Sequence, residues 1–169
     1  MDDRIRWNDK YRAGKGPDRR NSRLAKYRGL LKRGRALDLA GGLGQNAELL
    51  ENWTVVNLDI SDEALKRERG LRVLGNANAP PFARESFDTI ICTNFFESKI
   101  DYAALLTSGG TLFFETFTLA DQQYRPGFNP VFLLDSAQVP MLFKEFETLV
   151  CEETDNGDRV FLTFVGRKR

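Results

Sequence analysis

The sequence of 169 residues contains no histidine, and this absence excludes several kinds of active site. Without imidazole there can be no Ser-His-Asp triad, no Cys-His pair and no histidine-ligated metal. The two cysteines, Cys92 and Cys151, stand far apart in apolar runs, which favours free buried thiols over a disulfide or a thiolate metal site. We therefore expect a function that needs no bound metal.

Long apolar runs are also missing from the chain. No stretch approaches the roughly 20 apolar residues that a membrane-spanning helix needs, and the start MDDRIRWNDK has no apolar signal-peptide core. Cysteines of this kind suit a reducing compartment. These features predict a cytoplasmic protein without membrane association, and the length predicts one globular domain.

The net charge of +1 hides an uneven distribution of charge. Residues 1–34 contain twelve basic and four acidic residues, whereas residues 35–169 contain thirteen basic and twenty acidic ones. We interpret residues 1–34 as a helical basic arm within the same domain, and residues 35–169 as its body. The arm is either a solvated segment held against the acidic body or a docking surface for nucleic acid, although it contains no recognised nucleic-acid motif.

Short apolar runs alternate with helical segments in the body, which predicts a largely parallel sheet. Strands are predicted at residues 36–40, 53–60, 71–77, 86–94, 111–117, 147–153 and 159–166, and helices at 45–52, 61–69, 99–106 and 136–146. A turn at Gly109 and Gly110 is expected to end the third of these helices. Asn156 and Gly157 suit the tip of a hairpin, so the last strand should be antiparallel. The predicted fold class is α/β, with a doubly wound seven-stranded sheet.

The most specific segment is LDLAGGLGQNA, residues 37–47, at the turn after the first strand. Gly42 and Gly44 allow a tight turn and a close ligand approach, but they also satisfy a dinucleotide-binding pattern. Asp38, inside the strand, would repel a pyrophosphate and attract a cationic ligand. Asp59 ends the second strand, where its carboxylate can accept both hydroxyls of a ribose. These carboxylates favour a cationic, ribose-bearing ligand.

The chain resembles the class I S-adenosylmethionine-dependent methyltransferases over most of its length. The matching segments are WNDKYR (7–12), LDLAGGLGQN, VVNLDIS (55–61), GNANAPPF (75–82), SFDTIICTN, LTSGGTLFFETF (106–117) and the final hairpin. Within the family it is most similar to small tellurite-resistance-type or methyltransferase-domain proteins. The resemblance implies a Rossmann-like sheet, mostly parallel with an antiparallel C-terminal hairpin strand. It also implies S-adenosylmethionine as cofactor and S-adenosylhomocysteine as product.

The resemblance further implies which residues bind the cofactor. They are Tyr11, Arg12, Asp38, Ala40, Gly41, Gly42, Gly44, Asp59, Ile60, Asn76, Ala77 and Asn94. Asp59 would hold the ribose hydroxyls, Ile60 would pack on the adenine, and Asn76 would accept a hydrogen bond from the adenine amino group, where relatives have aspartate. Tyr11 and Arg12 either belong to a lid over the cofactor's carboxylate or only tether the arm.

Candidates for the acceptor side of the reaction are Asn94, Glu97 and Glu115, at the carboxyl ends of the fourth and fifth strands. The neighbouring Phe95 and Phe96 are interpreted as core residues. Methyl transfer is an in-line displacement, so the enzyme mainly positions the nucleophile and excludes water.

The expected function is methyl transfer to a small molecule, because the chain has no room for an added recognition domain. Two alternatives remain open at this point. One is an RNA or protein methyltransferase that docks through the basic arm. The other is a non-catalytic cofactor-binding module.

Overall fold

Within residues 2–67 and 70–169, which the computed structural model describes, seven strands form a single sheet. They are β1 (Arg35–Leu39), β2 (Thr54–Asp59), β3 (Leu71–Leu74), β4 (Phe87–Thr93), β5 (Leu106–Phe117), β6 (Phe146–Asp155) and β7 (Val160–Lys168). Their order is β3-β2-β1-β4-β5-β7-β6. β7 is antiparallel to β5 and β6, and the pairs among β1 to β5 are parallel. The predicted fold class and the antiparallel hairpin strand are confirmed.

The helices in the described ranges are short. They are α1 (Asp3–Arg12), α2 (Ser22–Tyr27), α3 (Asp62–Leu65), α4 (Tyr102–Leu105) and α5 (Val139–Leu142). The strands of the body are therefore connected by single turns and loops. No helix among these residues is long and apolar enough to cross a bilayer.

The prediction of a helix at residues 45–52 is wrong, because the structure has only a 3-10 turn there, Ala47–Leu49. Asn52 adopts a left-handed conformation with φ of 70°, which a helix cannot continue through. The side chain of Asn46 accepts a hydrogen bond from the backbone N–H of Asn21. Asparagine side chains compete for such contacts and so disfavour a regular helix.

The helix predicted at residues 136–146 is also shorter than expected. A 3-10 turn at Ser136–Gln138 leads into α5, and Phe146 already begins β6. Pro140 lies in the first turn of α5. Proline lacks the N–H that would bond to the preceding turn, so it suits a helix start and not a helix interior.

The helix predicted at residues 99–106 is reduced to α4, and the expected turn at Gly109 and Gly110 is wrong. Both glycines lie inside β5. Gly109 has φ of 65°, and the pairing with β4 shifts register between Phe87 and Thr89. The glycine therefore serves a β-bulge and does not end a helix.

The start of the helix predicted at residues 61–69 is confirmed. The Ser61 hydroxyl oxygen accepts a hydrogen bond from the Ala64 backbone N–H at 3.1 Å, which caps α3. The helix ends at Leu65. The predicted extension reaches Arg69, but residues 68 and 69 lie outside the described residues.

The core lies on both faces of the central strands. One cluster includes Leu37, Leu39, Ile90, Phe114 and Phe164, and the other includes Leu24, Leu31, Ala36, Ile91, Phe113 and Val165. Leu24 and Leu31 belong to the arm and are 0% and 6% exposed. Burying each leucine contributes about 2 kcal/mol. The arm thus supplies part of the core, while the boundary after residue 34 stays a prediction.

Both cysteines are free thiols, but only one is buried. Burial raises the pKa of Cys92 to about 12. Cys151 is exposed on the edge strand β6, so the expectation that it is buried is wrong. Apolar neighbours in the sequence did not reveal that β6 ends the sheet and leaves much of its surface to solvent.

The arm is fastened to the body by polar contacts centred on Asn21. Its Nδ2 donates to Glu115 Oε1 at 2.7 Å, and its Oδ1 caps α2 by accepting from the backbone N–H groups of Arg23 and Leu24. Ion pairs between arm and body include Arg4–Asp62, Arg12–Glu63, Arg20–Glu48 and Lys32–Asp88. This arrangement favours the interpretation of an arm held against the acidic body.

We expect Asn21→Ala to lower the free energy of unfolding by about 2 kcal/mol, because the change removes a helix cap and a hydrogen bond to a carboxylate. Urea denaturation would measure this change in the free energy of unfolding. Ser22→Ala, at the exposed neighbouring position, is the control and should change the free energy by less than about 0.5 kcal/mol. Equal effects of the two changes would show that Asn21 does not anchor the arm.

Candidate functional site

A narrow first cavity opens at the carboxyl ends of the parallel strands, where open α/β sheets bind ligands. It is lined by Asp3, Trp7, Tyr11, Pro17, Ala40, Gly41, Gly42, Gln45, Asp59, Ile60, Asn76, Ala77, Asn78, Thr93, Asn94 and Phe95. The residues come from α1, from the turns after β1 and β2, and from the segments after β3 and β4. The cavity is therefore assembled from distant parts of the chain.

Small residues shape the turn after β1. Ala40 and Gly42 have φ of 56° and 58°, both in the left-handed region. A Cβ at Gly41 would lie 2.5 Å from Oδ1 of Asn57 and 2.5 Å from Cγ of Asp38. Only glycine fits at this position without displacing its neighbours, so the backbone of the turn lies unusually close to both strands.

Asp59 connects this turn to the start of α3. Its Oδ2 accepts a hydrogen bond from the backbone N–H of Gly42 and its Oδ1 from that of Ser61, both at 2.8 Å. Burial raises the pKa of Asp59, and the backbone hydrogen bonds oppose that rise. Each carboxylate oxygen can accept a further bond. Asp59 lines the first cavity, so it can still accept hydrogen bonds from a hydroxyl-bearing ligand.

Another part of the first cavity's lining is apolar and suits a flat ring. Ile60 and Ala77 supply apolar surface, and Asn76 lies beside them. The Asn76 Oδ1 accepts a hydrogen bond from the backbone N–H of Asn78 at 2.9 Å. This contact orients the amide next to the apolar wall.

Helix α1 covers the first cavity with Trp7 and Tyr11. The Tyr11 hydroxyl packs so closely on Gly42 that a Cβ there would overlap it. Burial, together with the nearby carboxylates of Asp59 and Asp38, raises the pKa of Tyr11 above its ordinary value. Its hydroxyl therefore stays protonated at neutral pH.

Hydrogen bonds to the start of α3 hold α1 in this position. The Ser61 hydroxyl donates to Asn8 Oδ1 at 2.7 Å, and Asn8 Nδ2 donates to Asp62 Oδ1 at 2.8 Å. Arg4 Nη2 lies 3.1 Å from the same carboxylate oxygen. The hydrogen bonds from Asn8 and Arg4 lower the pKa of Asp62 to about 2.

A second cavity, of about 860 Å³, shares part of its wall with the first. Six residues line both cavities, namely Asp3, Trp7, Pro17, Asn78, Asn94 and Phe95. The rest of its lining comprises Arg6, Lys10, Asp18, Arg19, Phe96, Glu97, Thr116, Phe117, Arg125, Phe128, Asn129, Phe132 and Arg159. Asn94 has φ of 56°, a strained conformation that is common at functional sites.

Residues 37–110 match the protein family described as the methyltransferase domain. This stretch contains the turn after β1, Asp59 and the wall at Asn76 and Ala77. Residues 37–110 thus carry the sequence of a methyltransferase domain.

Solved structures show the same fold. PH0226 from Pyrococcus horikoshii is 21% identical, covering 88% of this chain and 90% of its own, with a TM-score of 0.69. TehB from Haemophilus influenzae is 16% identical, with coverages of 96% and 67% and a TM-score of 0.72. A SAM-dependent methyltransferase from Methanosarcina mazei is 15% identical, with coverages of 85% and 96% and a TM-score of 0.68. No curated protein sequence matches the chain. At these identities the likeness shows the fold alone.

The cofactor of this methyltransferase domain is S-adenosylmethionine, and nine of the twelve residues predicted to bind it line the first cavity. They are Tyr11, Ala40, Gly41, Gly42, Asp59, Ile60, Asn76, Ala77 and Asn94. The residues present fit the group, since a buried carboxylate, apolar side chains and a glycine turn line the same cavity. Their individual roles stay predictions.

The other three predicted residues do not line the first cavity. Asp38 lies fully buried behind Gly41, where its charge can act on a bound cation. Arg12 points away and pairs with Glu63 at 3.0 Å, because the acidic start of α3 lies closer to it. The Gly44 N–H donates to the Gly41 carbonyl and so closes the turn.

The three residues predicted for the acceptor side are separated in the structure. Asn94 lines both cavities, and Glu97 lines only the second. Glu115 lines neither, because its oxygens accept hydrogen bonds from Asn21 of the arm and from Thr163, each at 2.7 Å. A buried carboxylate needs such partners, and here they belong to the attachment of the arm.

Some residues that line the two cavities were not predicted from the sequence. Phe95 and Phe96 were expected in the core, but they are half-buried and line the second cavity. Their place directly after a strand end was the available signal. Gln45 and Thr93 line the first cavity, and nothing in the sequence distinguished them from ordinary turn and strand residues.

We expect Gly41→Ala to destabilise the domain by about 1–3 kcal/mol, because the added methyl group must displace Asn57 or Asp38. It should also weaken binding of S-adenosylhomocysteine, measured by calorimetry, because the turn shifts. Gly29→Ala is the control, since a Cβ there meets nothing within 4 Å. A Gly41→Ala protein that melts and binds like the wild type would contradict the close fit of the turn.

The attachment of α1 should depend on pH through Asp62. Its pKa is lower in the folded than in the unfolded protein, so its stabilising contribution is present at neutral pH. That contribution is lost as the pH falls from about 5 to about 2. We expect the wild type to be more stable than Asp62→Asn at pH 7, with the difference shrinking over this range in urea titrations. A difference that does not change with pH would contradict the ionic nature of the contact.

Proposed function

We propose that this protein transfers the methyl group of S-adenosylmethionine to a small-molecule acceptor bound in the second cavity. The observation that carries the proposal is the position of this cavity. It shares Trp7, Asn94 and Phe95 with the first cavity, and it lies between α1 and the loop that follows β5. A molecule enclosed there would lie next to the cofactor, and its size would be limited by the walls.

The proposed roles in the first cavity follow from the contacts of each residue. Asp59 binds the ribose hydroxyls with the carboxylate oxygens that Gly42 and Ser61 already orient. Ile60 packs on the adenine, and Asn76 accepts a hydrogen bond from its amino group. When bound, the cofactor supplies an activated methyl group on a positively charged sulfur.

Helix α1 prepares the site by excluding water. Trp7 and Tyr11 cover the first cavity, and the hydrogen bonds between Asn8, Ser61 and Asp62 keep them there. Removing water prevents competing contacts and strengthens the attraction between the buried Asp38 carboxylate and a bound cation.

Asn94 and Glu97 act on the acceptor in this proposal. Asn94 lies at the junction of the two cavities, where its amide can orient the attacking atom. Glu97 lies in the wall of the second cavity, and one of its oxygens accepts a hydrogen bond from the Lys99 backbone N–H. The other oxygen can take a proton from an acceptor that must lose one.

Docking of RNA through the arm has less support. Arg4, Arg12, Arg20 and Lys32 of the arm are engaged with carboxylates of the body. Phosphate contacts by such a surface would make binding steeply dependent on salt. Filter binding of bulk RNA at two salt concentrations distinguishes the two substrate classes.

We expect wild-type protein to bind S-adenosylhomocysteine and Asp59→Asn to bind it at least about tenfold more weakly, because hydrogen bonds to a charged group are lost. Asparagine retains one of the two acceptor atoms, so melting curves can show that the variant is folded. Asp158→Asn, at an exposed site in the β6–β7 turn, is the control. A wild-type protein that produces no binding heat would contradict the proposal.

A further inference from the structure

Arg125 is held in the wall of the second cavity by a buried carboxylate. Asp121 is fully buried, and its Oδ1 accepts a hydrogen bond from the Val160 backbone N–H at 2.8 Å. Its other oxygen, Oδ2, accepts from Arg125 Nε at 2.6 Å and also contacts Nη2. The start of β7 thus fixes Asp121, and Asp121 fixes one edge of the guanidinium.

Two aromatic rings further restrict the same guanidinium. The Cζ of Arg125 lies 4.4 Å from the ring centre of Phe117 and 4.2 Å from that of Phe128. Such contacts stabilise a planar cation and limit the rotamers of its long side chain. The side chain keeps 24% of its surface exposed. Because its orientation is already restricted, Arg125 loses little entropy when it binds a ligand.

The contact with Asp121 leaves the Nη1 side of the guanidinium available. Within residues 2–67 and 70–169, Nη1 makes no hydrogen bond. Nη2 is buried against Asp121, so Nη1, with its two N–H groups, is the nitrogen that can donate to an anionic oxygen. The lining of the second cavity has five basic and three acidic side chains, which favours an anion.

The rest of the second cavity's lining is rich in aromatic surface. Trp7, Phe95, Phe96 and Phe132 line the same cavity. Aromatic side chains pack well on flat apolar molecules, with ring centres about 4.5–7 Å apart. The second cavity therefore combines one oriented cation with several ring faces.

We propose that Arg125 is a specificity-determining residue that binds the carboxylate of an aromatic methyl acceptor in the second cavity. The inference rests on the proposed function, since it names the class of molecule that this cavity takes. Arg125 selects the acceptor by charge, and the aromatic wall selects it by shape. Asp121 is a positioning residue that acts through Arg125.

The test uses full-length protein saturated with S-adenosylhomocysteine and two probes, 2-naphthoate and its neutral analogue 2-naphthamide. Calorimetry with S-adenosylhomocysteine alone comes first. If S-adenosylhomocysteine does not bind, the result counts against the proposed function. If it binds, the binding of the two probes tests the role of Arg125. Probe binding is then measured by ligand-observed NMR.

We expect 2-naphthoate to bind wild-type protein at least about tenfold more tightly than 2-naphthamide, because its carboxylate accepts a charge-assisted hydrogen bond from Nη1. Arg125→Gln should remove this preference and leave 2-naphthamide binding unchanged. Arg125→Lys should restore only part of it, because an ammonium group lacks the planar shape that Asp121 and the two rings hold in place. Arg167→Gln on β7, which removes a surface pair with Glu147 of β6, is the charge-matched control and should keep the preference.

Arg125→Gln leaves the buried Asp121 without its partner and can therefore unfold the protein. The double variant Asp121→Asn, Arg125→Gln removes both charges, so the probe preference can still be measured if the single variant does not fold. Three results overturn the proposal: equal binding of the two probes to wild-type protein, no binding of either probe to protein that binds S-adenosylhomocysteine, or a carboxylate preference that survives both variants. Loss of the preference in the folded variants, with cofactor binding intact, supports it.

Discussion

The carboxylate of Asp59 is the constraint on which most of the site depends. By accepting from the backbone N–H groups of Gly42 and Ser61, it joins the turn after β1 to the start of α3. Ser61 in turn donates its hydroxyl to Asn8, which places α1 across the first cavity. A single buried charge at the end of β2 thus determines the shape of the glycine turn and the position of the helix that covers it.

The arm compensates for the small size of the body. The connections between strands are mostly single turns, and the two arm leucines Leu24 and Leu31 fill part of one face of the sheet. The uneven charge of the sequence has the same explanation, since basic residues of the arm pair with acidic residues of the body. Individually such exposed pairs contribute little, so the buried leucines and the polar contacts of Asn21 provide most of the attachment.

The strands were predictable from the sequence because each is a short apolar run bounded by turn residues. Most helices were not predictable to the same degree. The segment 45–52 has helical composition, but the side-chain contact of Asn46 with Asn21 and the left-handed Asn52 hold it in a turn. Gly109 was predicted in a turn and instead forms a bulge in β5. Whether a glycine forms a turn or a bulge depends on the pairing of its strand with the neighbouring strand.

The first cavity was predictable where it is made of strand ends, because parallel strands bring their carboxyl ends to one edge of the sheet. Ala40, Asp59 and Asn76 all line it. Arg12 and Glu115 do not line it. Their charged side chains pair with groups that the tertiary structure brings close, Glu63 for Arg12 and Asn21 for Glu115.

The sequence by itself determined the fold class, the strand ends that carry the cofactor site and the presence of a basic arm. These depend on local patterns of apolar, glycine and charged residues, which act over a few positions. Only the tertiary structure decided that the arm covers the site and that Glu115 serves the arm. It also decided that Arg125 and two phenylalanines meet in the wall of the second cavity, where the buried Asp121 holds Arg125. Those contacts join residues far apart in the chain, and their partners are chosen by packing that no short segment encodes.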